Sequence, residues 1–177
     1  SDMRSILLCN EPKNPTYVYS SETLEELYEI AKLDKTFYNR NDVMSDPAAF
    51  RYVDYIFSTW GMPAFTEEEI RDAFPNLKYV FYGAGTVQGF ARPFLNCGVK
   101  VCSAWAANGV PVAEYTVAQI ILANKGFYQN TIRMSKGDVA GAREIAGHYP
   151  CNYGANIGII GAGMIGKLVI KMLAPYK

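Results

Sequence analysis

Short apolar runs alternate with amphipathic stretches over the first hundred residues. Ile6-Leu7-Leu8-Cys9 is unbroken by polar residues and closed by Pro12 and Pro15, which predicts a buried strand. From Glu22 to Leu33, Leu24, Leu27, Tyr28 and Ala31 recur at i, i+3, i+4 and i+7, the spacing of one helical face. Thr36-Phe37-Tyr38 predicts a second strand. Asp46-Pro47 pairs a capping residue with proline at a first helical position, for a helix running to about Val53. Tyr55-Ile56-Phe57-Ser58 predicts a third strand. Thr66-Glu67-Glu68-Glu69 has capping-box spacing and opens a helix that ends before Pro75. Tyr79-Val80-Phe81-Tyr82 and Val99-Lys100-Val101-Cys102 complete five strands. Strands that alternate with helices imply crossover units on a mostly parallel sheet with both faces covered, so residues 3–103 read as one open α/β domain.

Beyond this point the pattern changes. Val112, Tyr115, Ala118, Gln119, Leu122 and Ala123 follow Pro111 and predict a long apolar helix over 111–128, roughly 27 Å at 1.5 Å per residue. A helix that apolar is expected to pack between two bodies. Lys136 to Asn152 reads as a loop, so residues 104–153 form a connecting helix and loop.

The sharpest motif follows. Asn156-Ile157-Gly158-Ile159-Ile160 leads as an apolar strand into Gly161-Ala162-Gly163-Met164-Ile165-Gly166, and Leu168, Val169, Met172 and Leu173 continue with helical spacing. Strand, Gly-x-Gly-x-x-Gly and helix are the context that a dinucleotide fingerprint requires. Gly161 permits the tight turn, Gly163 lets the backbone approach a pyrophosphate, and Gly166 lets helix and strand close up. The helix N-terminus offers unpaired N–H groups and a positive dipole end to the phosphates. The acidic residue expected about 20 positions on falls beyond Lys177. Residues 154–177 therefore read as the first strand and helix of a Rossmann dinucleotide-binding domain, in a chain expected to be the front piece of a longer protein.

Composition narrows the classes. The 177 residues are 50% apolar with 17 basic and 17 acidic side chains, which excludes disorder and leaves no electrostatic footprint for nucleic acid or an anionic membrane. No apolar run is long enough for a transmembrane helix. Cys9, Cys97, Cys102 and Cys151 form no Cys-x-x-Cys pair, and His148 is the one histidine. The expectation is reduced cytoplasmic thiols and no metal site. His148 reads as a solvated loop residue. Ser1 and Asp2, ahead of Met3, read as an expression scar.

Three stretches, in this order and spacing, resemble the N-terminal part of the D-isomer-specific 2-hydroxyacid dehydrogenases, such as phosphoglycerate dehydrogenase and hydroxypyruvate reductase. They are Pro75-Asn76-Leu77-Lys78-Tyr79-Val80 with Tyr82-Gly83-Ala84-Gly85-Thr86; Asn96-Cys97-Gly98-Val99-Lys100-Val101 with Ala107-Asn108-Gly109-Val110-Pro111-Val112-Ala113-Glu114-Tyr115-Thr116; and Gly154-Ala155-Asn156-Ile157-Gly158-Ile159-Ile160-Gly161. The resemblance implies a flavodoxin-like substrate domain, a Rossmann domain that takes NAD or NADP through residues 161–166, and an active site between the two. It implies hydride transfer between the nicotinamide and a small 2-keto or 2-hydroxy acid, with Gly83, Ala84 and Gly85 presenting backbone amides to the substrate carboxylate.

Trp60, in Trp60-Gly61-Met62-Pro63, either lines the same cleft or is a packed loop residue. Asn108 is either an N-cap of the long helix or a ligand contact. Glu114 and Thr116 sit near the expected helix start, where a surface or capping role suits Glu114. The family's catalytic arginine, glutamate and histidine fall beyond Lys177, and His148 does not match the histidine. The chain alone is thus expected to be catalytically silent and, with its apolar helix and stub, to exchange partners in a homodimer or leave the stub disordered. A dinucleotide-sensing corepressor on the same scaffold is the alternative.

Overall fold

The computed structural model describes residues 4–177, so the reading of Ser1 and Asp2, and Met3 at the domain boundary, lie outside the described residues. The chain divides into two compact units, Ser1–Trp105 and Ala106–Lys177.

The first unit is built on a five-stranded parallel sheet. Its strands are β1 (Ser5–Leu8), β2 (Leu33–Tyr38), β3 (Tyr55–Ser58), β4 (Tyr79–Tyr82) and β5 (Lys100–Ser103), in the order β2-β1-β3-β4-β5. This is the flavodoxin-like doubly wound order, which reverses direction between β1 and β3. Right-handed crossovers therefore send the β1–β2 connection to one face and the later connections to the other.

The side chains divide accordingly. Ile6, Leu8, Ile56 and Val80 join Phe65, Phe74 and Phe94 in the larger core, beneath α4 (Glu67–Ala73) and α5 (Ala91–Asn96). Leu7, Cys9 and Leu33 face Leu24, Leu27 and Tyr28 of α2 (Ser21–Ile30). On that second face Phe57 and Phe81 stack at 5.2 Å between β3 and β4, and Tyr79 and Phe81 at 5.6 Å.

Several boundaries differ from expectation. The helix predicted to reach Leu33 stops at Ile30, because Lys32 takes φ +46° and Leu33 is drawn into the sheet as a buried residue. Pro47–Phe50 is a single 3-10 turn rather than a helix to Val53, and the Asp46 side chain makes no cap bond. Three short helices were not anticipated: α1 (Asn14–Val18), α3 (Arg40–Ser45) and α5. Each has fewer than two turns, too few for an apolar stripe to repeat.

Capping chemistry ties these pieces together. Asn39 and Asp42 form a reciprocal box on α3, and Thr66 and Glu69 another on α4. Glu69 spends one carboxylate oxygen on the Thr66 amide and the other on Arg40, at 2.6 Å. It thereby clamps α3 to α4, with the Arg40 guanidinium lying 5.0 Å from the centre of the Phe65 ring.

At the amino ends of β3 and β4, Asp54 accepts from Lys78 Nζ at 2.8 Å and from the Arg4 amide at 3.2 Å. Burial pushes the Asp54 carboxyl up, but these donors outweigh it and hold it below its ordinary 3.8. A depressed native pKa adds stability above the unfolded value that is lost as pH falls through the folded one. Asp54→Asn is therefore expected to flatten the loss of urea midpoint as pH falls below about 4. An acid limb as steep as the parent's would exclude this pair as its source.

The second unit departs further from the pattern. Its long helix α6 runs from Trp105 to Asn124, starting six residues before Pro111, which stands inside it. Asn108 is consequently an interior helical residue and not an N-cap. Glu114 lies in mid-helix, exposed, far from the positive end, and Thr116 bonds back to the Val112 carbonyl at 2.7 Å. Within this chain, Gly109 and Ala113 are the buried residues of α6.

Gly126 at φ +73° ends this helical run and starts α7 (Phe127–Ser135); a Cβ there would fall 2.4 Å from the Tyr149 ring. The stretch read as loop contains α8 (Val139–Ala146), whose Asp138 cap accepts from Gly141 N at 2.8 Å. Its moderate apolar spacing was masked by Gly137 and Gly141. His148 is exposed in the turn that follows, as expected. Residues 156–160 do not form a strand, since none of the described strands pairs with them, and Ile160 stands fully exposed. The final helix α9 is Met164–Leu173. All four cysteines are free thiols.

Candidate functional site

Two sets of unpaired backbone donors stand out, one in each unit. In the first unit they lie at the carboxyl edge of the sheet, where open α/β folds place their ligands. The strands β3 and β4 run in register as Ser58 opposite Tyr82, so the segments that follow emerge side by side. Gly83 N donates to Ser58 O at 2.8 Å, and the same carbonyl accepts from the Tyr19 hydroxyl at 2.7 Å. Burial raises the Tyr19 phenol strongly, so it remains a donor across the ordinary pH range. Glycine is required at 83 by crowding: a Cβ would fall 2.8 Å from Val18 Cγ1 and 3.2 Å from the Tyr19 hydroxyl.

Ala84 and Gly85 then turn their carbonyls to Ser103 Oγ, at 2.9 and 2.6 Å. Among the described residues, no acceptor takes the amides of Ala84, Gly85 and Thr86. Thr86 is exposed and Gly85 half-buried, so these two donors are open to an anion; Ala84 is fully buried and the Gly83 amide is already taken by Ser58, so neither presents the amide expected of it.

Trp60 leaves β3 beside this loop with its indole 47% exposed, while its carbonyl accepts from Asn14 Nδ2 at 2.7 Å and Cys9 Sγ at 3.1 Å. Two bonds thus hold the backbone while the side chain stays exposed. Gly61 next to it sits at φ +99° with Cys9 Sγ 3.0 Å from where a Cβ would be. Beside the loop, an open apolar hollow of about 320 Å³ lies between α2 and the strands, with Leu27, Phe57, Phe81 and Cys102 in its wall.

In the second unit the donors belong to the glycine fingerprint. Gly161 takes φ +89°, the conformation of a turn that a side chain would strain. Gly163 caps α9 with no side-chain bond, and nothing lies within 4 Å of the position of its missing Cβ. At Gly166 a Cβ would strike the Gly161 carbonyl oxygen at 2.2 Å. The amides of Met164, Ile165 and Gly166 have no acceptor among the described residues, and the first helical bond runs from Lys167 N to Gly163 O at 2.9 Å. A tight turn, a bare approach and a free helix N-terminus thus coincide, and the residues present suit a pyrophosphate. Ala162 is exposed at the tip of the same turn.

Asn108 belongs to this unit. It immediately precedes Gly109, where a Cβ would fall 2.3 Å from Met164 Cε, so α6 and the start of α9 meet there. A second hollow, of about 370 Å³, is lined by Ile120, Asn124, Ile157, Ile159, Ile170 and Leu173.

Sequence reasoning missed Ser103 and Tyr19. Ser103 had a signal: a polar residue ends an apolar strand directly opposite Tyr82, one position before the glycine loop. Tyr19 had none, because its role depends on a five-residue helix that no periodicity announces.

The first unit thus defines a flavodoxin-like doubly wound sheet with an anion-competent loop at its carboxyl edge, and the second carries a dinucleotide fingerprint. No family model and no curated protein matches the chain in sequence. Solved structures do share its fold. A phosphoglycerate oxidoreductase from Rhizobium etli matches with a TM-score of 0.70 at 17% identity, over 99% of this chain and 54% of its own. An NAD-dependent formate dehydrogenase from Staphylococcus aureus, solved with NAD, matches at 0.64 and 22% identity, over 98% and 52%. An NADPH-dependent glyoxylate/hydroxypyruvate reductase from Sinorhizobium meliloti, solved with NADP and malonate, matches at 0.56 and 22%, over 99% and 51%. The chain spans about half the length of each of these structures.

Proposed function

We propose that this chain comprises the substrate domain and the opening of the dinucleotide-binding domain of an NAD(P)-dependent oxidoreductase acting on the CH–OH group of a D-2-hydroxy acid. The observation that carries the reading is the pair of backbone anion sites: open amides at 85 and 86 after β4, and the glycine turn at 161–166 before α9. The kinship of fold with dehydrogenases and reductases solved with NAD or NADP supports the cofactor. When bound, the nicotinamide supplies the hydride that reduces a 2-keto acid.

The chain's own residues bind and orient. Of the loop Gly83-Ala84-Gly85 and the residue after it, Gly85 and Thr86 donate N–H bonds to the substrate carboxylate while Gly83 and Ala84 shape the turn, and charge-assisted bonds of this kind are about twice as strong as neutral ones. Trp60 lines the approach to them. Met164, Ile165 and Gly166 hold the pyrophosphate at the α9 dipole, with Gly161, Ala162 and Gly163 shaping the turn. Asn108 is a ligand contact from α6. Exposed apolar residues on α6, including Trp105, Val112 and Tyr115, support a homodimer, and the four free thiols support a cytoplasmic location.

The test is a titration of the 177-residue chain followed by backbone amide resonances. Oxamate, a 2-keto acid mimic, is expected to move Ala84, Gly85 and Thr86, and NADH is expected to move residues 161–166. Shifts from neither ligand at these positions would overturn the reading, and shifts from NADH alone would favour a dinucleotide-sensing protein.

A further inference from the structure

The substrate loop has no side-chain charge of its own, so its usefulness to an anion depends on which way its peptide planes face. A trans peptide points its carbonyl and the following N–H in opposite directions. The Ala84 carbonyl is directed at Ser103 Oγ, so the Gly85 N–H is directed away from Ser103. The Gly85 carbonyl is directed at the same hydroxyl, so the Thr86 N–H also points away from it. Two consecutive carbonyls that converge on one donor thus bring two consecutive amides to the other side.

Ala84 is packed in the core, but among the described residues no other hydrogen bond fixes these peptide planes. Upstream, Gly83 N is tied to Ser58 O; downstream, Val87 O accepts from Phe90 N and Ala91 N at the start of α5. Between those anchors, the Ser103 hydroxyl is the hydrogen-bond partner of the loop among the described residues. Ser103 itself is fixed as the last residue of β5, in register with Tyr82, and Ala104 N donates to Tyr82 O at 2.9 Å.

We propose that Ser103 is a positioning residue for the 2-keto acid carboxylate, acting through the Ala84 and Gly85 carbonyls to present the Gly85 and Thr86 amides. The proposal rests on the carboxylate role given to this loop above. A carbonyl released from Ser103 can rotate outward, which replaces a donor facing the anion with an oxygen that repels it. Ser103 touches neither substrate nor cofactor in this arrangement.

The experiment is the oxamate titration repeated on Ser103→Ala and Ser103→Thr chains. Ser103→Ala is expected to weaken the oxamate response at Gly85 and Thr86 about tenfold, since a lost donor leaves two carbonyls unsatisfied. Amides elsewhere in the sheet should keep their parent positions. Ser103→Thr restores the hydroxyl, suits a strand, and is expected to restore the response. Equal responses in the parent and Ser103→Ala chains overturn the Ser103 proposal and leave the loop reading intact. No response in the parent overturns the loop reading, and Ser103's role with it. Should Ser103→Ala fail to fold, Ser103→Thr decides alone: a folded threonine chain that has lost the response overturns the proposal.

Discussion

Gly166→Ala is expected to lower the affinity of the chain for NADH by tenfold or more, about 1.4 kcal/mol. The cause is local and steric. The added methyl would lie 2.2 Å from the Gly161 carbonyl oxygen, inside any tolerable contact, and the obstacle is backbone rather than a side chain that can rotate away. Either the turn at Gly161 opens or the first turn of α9 moves. Both changes displace the amides of Met164, Ile165 and Gly166, and hydrogen bonds weaken steeply when misaligned. The helix itself should survive, since alanine is the better helix former. Calorimetric titration of the parent and variant chains reads the affinity, and circular dichroism checks α9. Unaltered NADH affinity in the variant would show that the dinucleotide does not sit on this turn. Gly158→Ala is the control, because nothing lies within 4 Å of its missing Cβ.

That contrast between two glycines also marks what was legible in the chain. The spacing of Gly161, Gly163 and Gly166 conveyed the turn and the free helix end, because those depend on a few consecutive residues. The strand expected before it did not form, since a strand needs a neighbour for its N–H and C=O groups and a run of isoleucines cannot supply one. In the first unit all five strands were readable as short apolar runs, although Leu33, which opens β2, was read into the preceding helix. The short helices α1, α3 and α5 were not readable. They are fixed by caps and by tertiary bonds such as Glu69 to Arg40, which link positions 29 residues apart.

The same distinction applies to the site. Gly83, Ala84 and Gly85 could be named from a motif, but the Gly83 amide is taken by Ser58, and the Ala84 and Gly85 carbonyls turn to a serine 18 and 19 residues away, brought alongside by parallel pairing. Pro111 misled in a simple way. Proline suits a first turn, yet α6 tolerates it in its seventh position.

The second large effect concerns the core under the 83–86 loop. Phe94→Ala is expected to destabilise the first unit by about 3–5 kcal/mol, the range for a buried phenylalanine that leaves a cavity. Phe94 is fully buried, and its ring meets Phe65 and Phe90 edge-on at 6.1 and 6.4 Å. Phe65 in turn packs on Phe74, and Phe90 on Tyr82 at 5.0 Å. Removing the central ring therefore leaves edges on two sides without a partner, and the rings around it are held by different elements that cannot all close inward. A site that cannot close inward keeps its cavity, which places the variant near the upper end of the range. Against a whole-domain stability of about 5–15 kcal/mol, such a loss brings the unit close to unfolding at room temperature. Urea titration followed by amide resonances of β3, β4 and β5 reads it directly. Phe127→Ala, at a ring 46% exposed on α7, is expected to cost under about 0.5 kcal/mol by the same assay. A Phe94→Ala chain with the parent's urea midpoint would mean that the aromatic cluster does not carry the sheet, and the loop at 83–86 would then need another foundation.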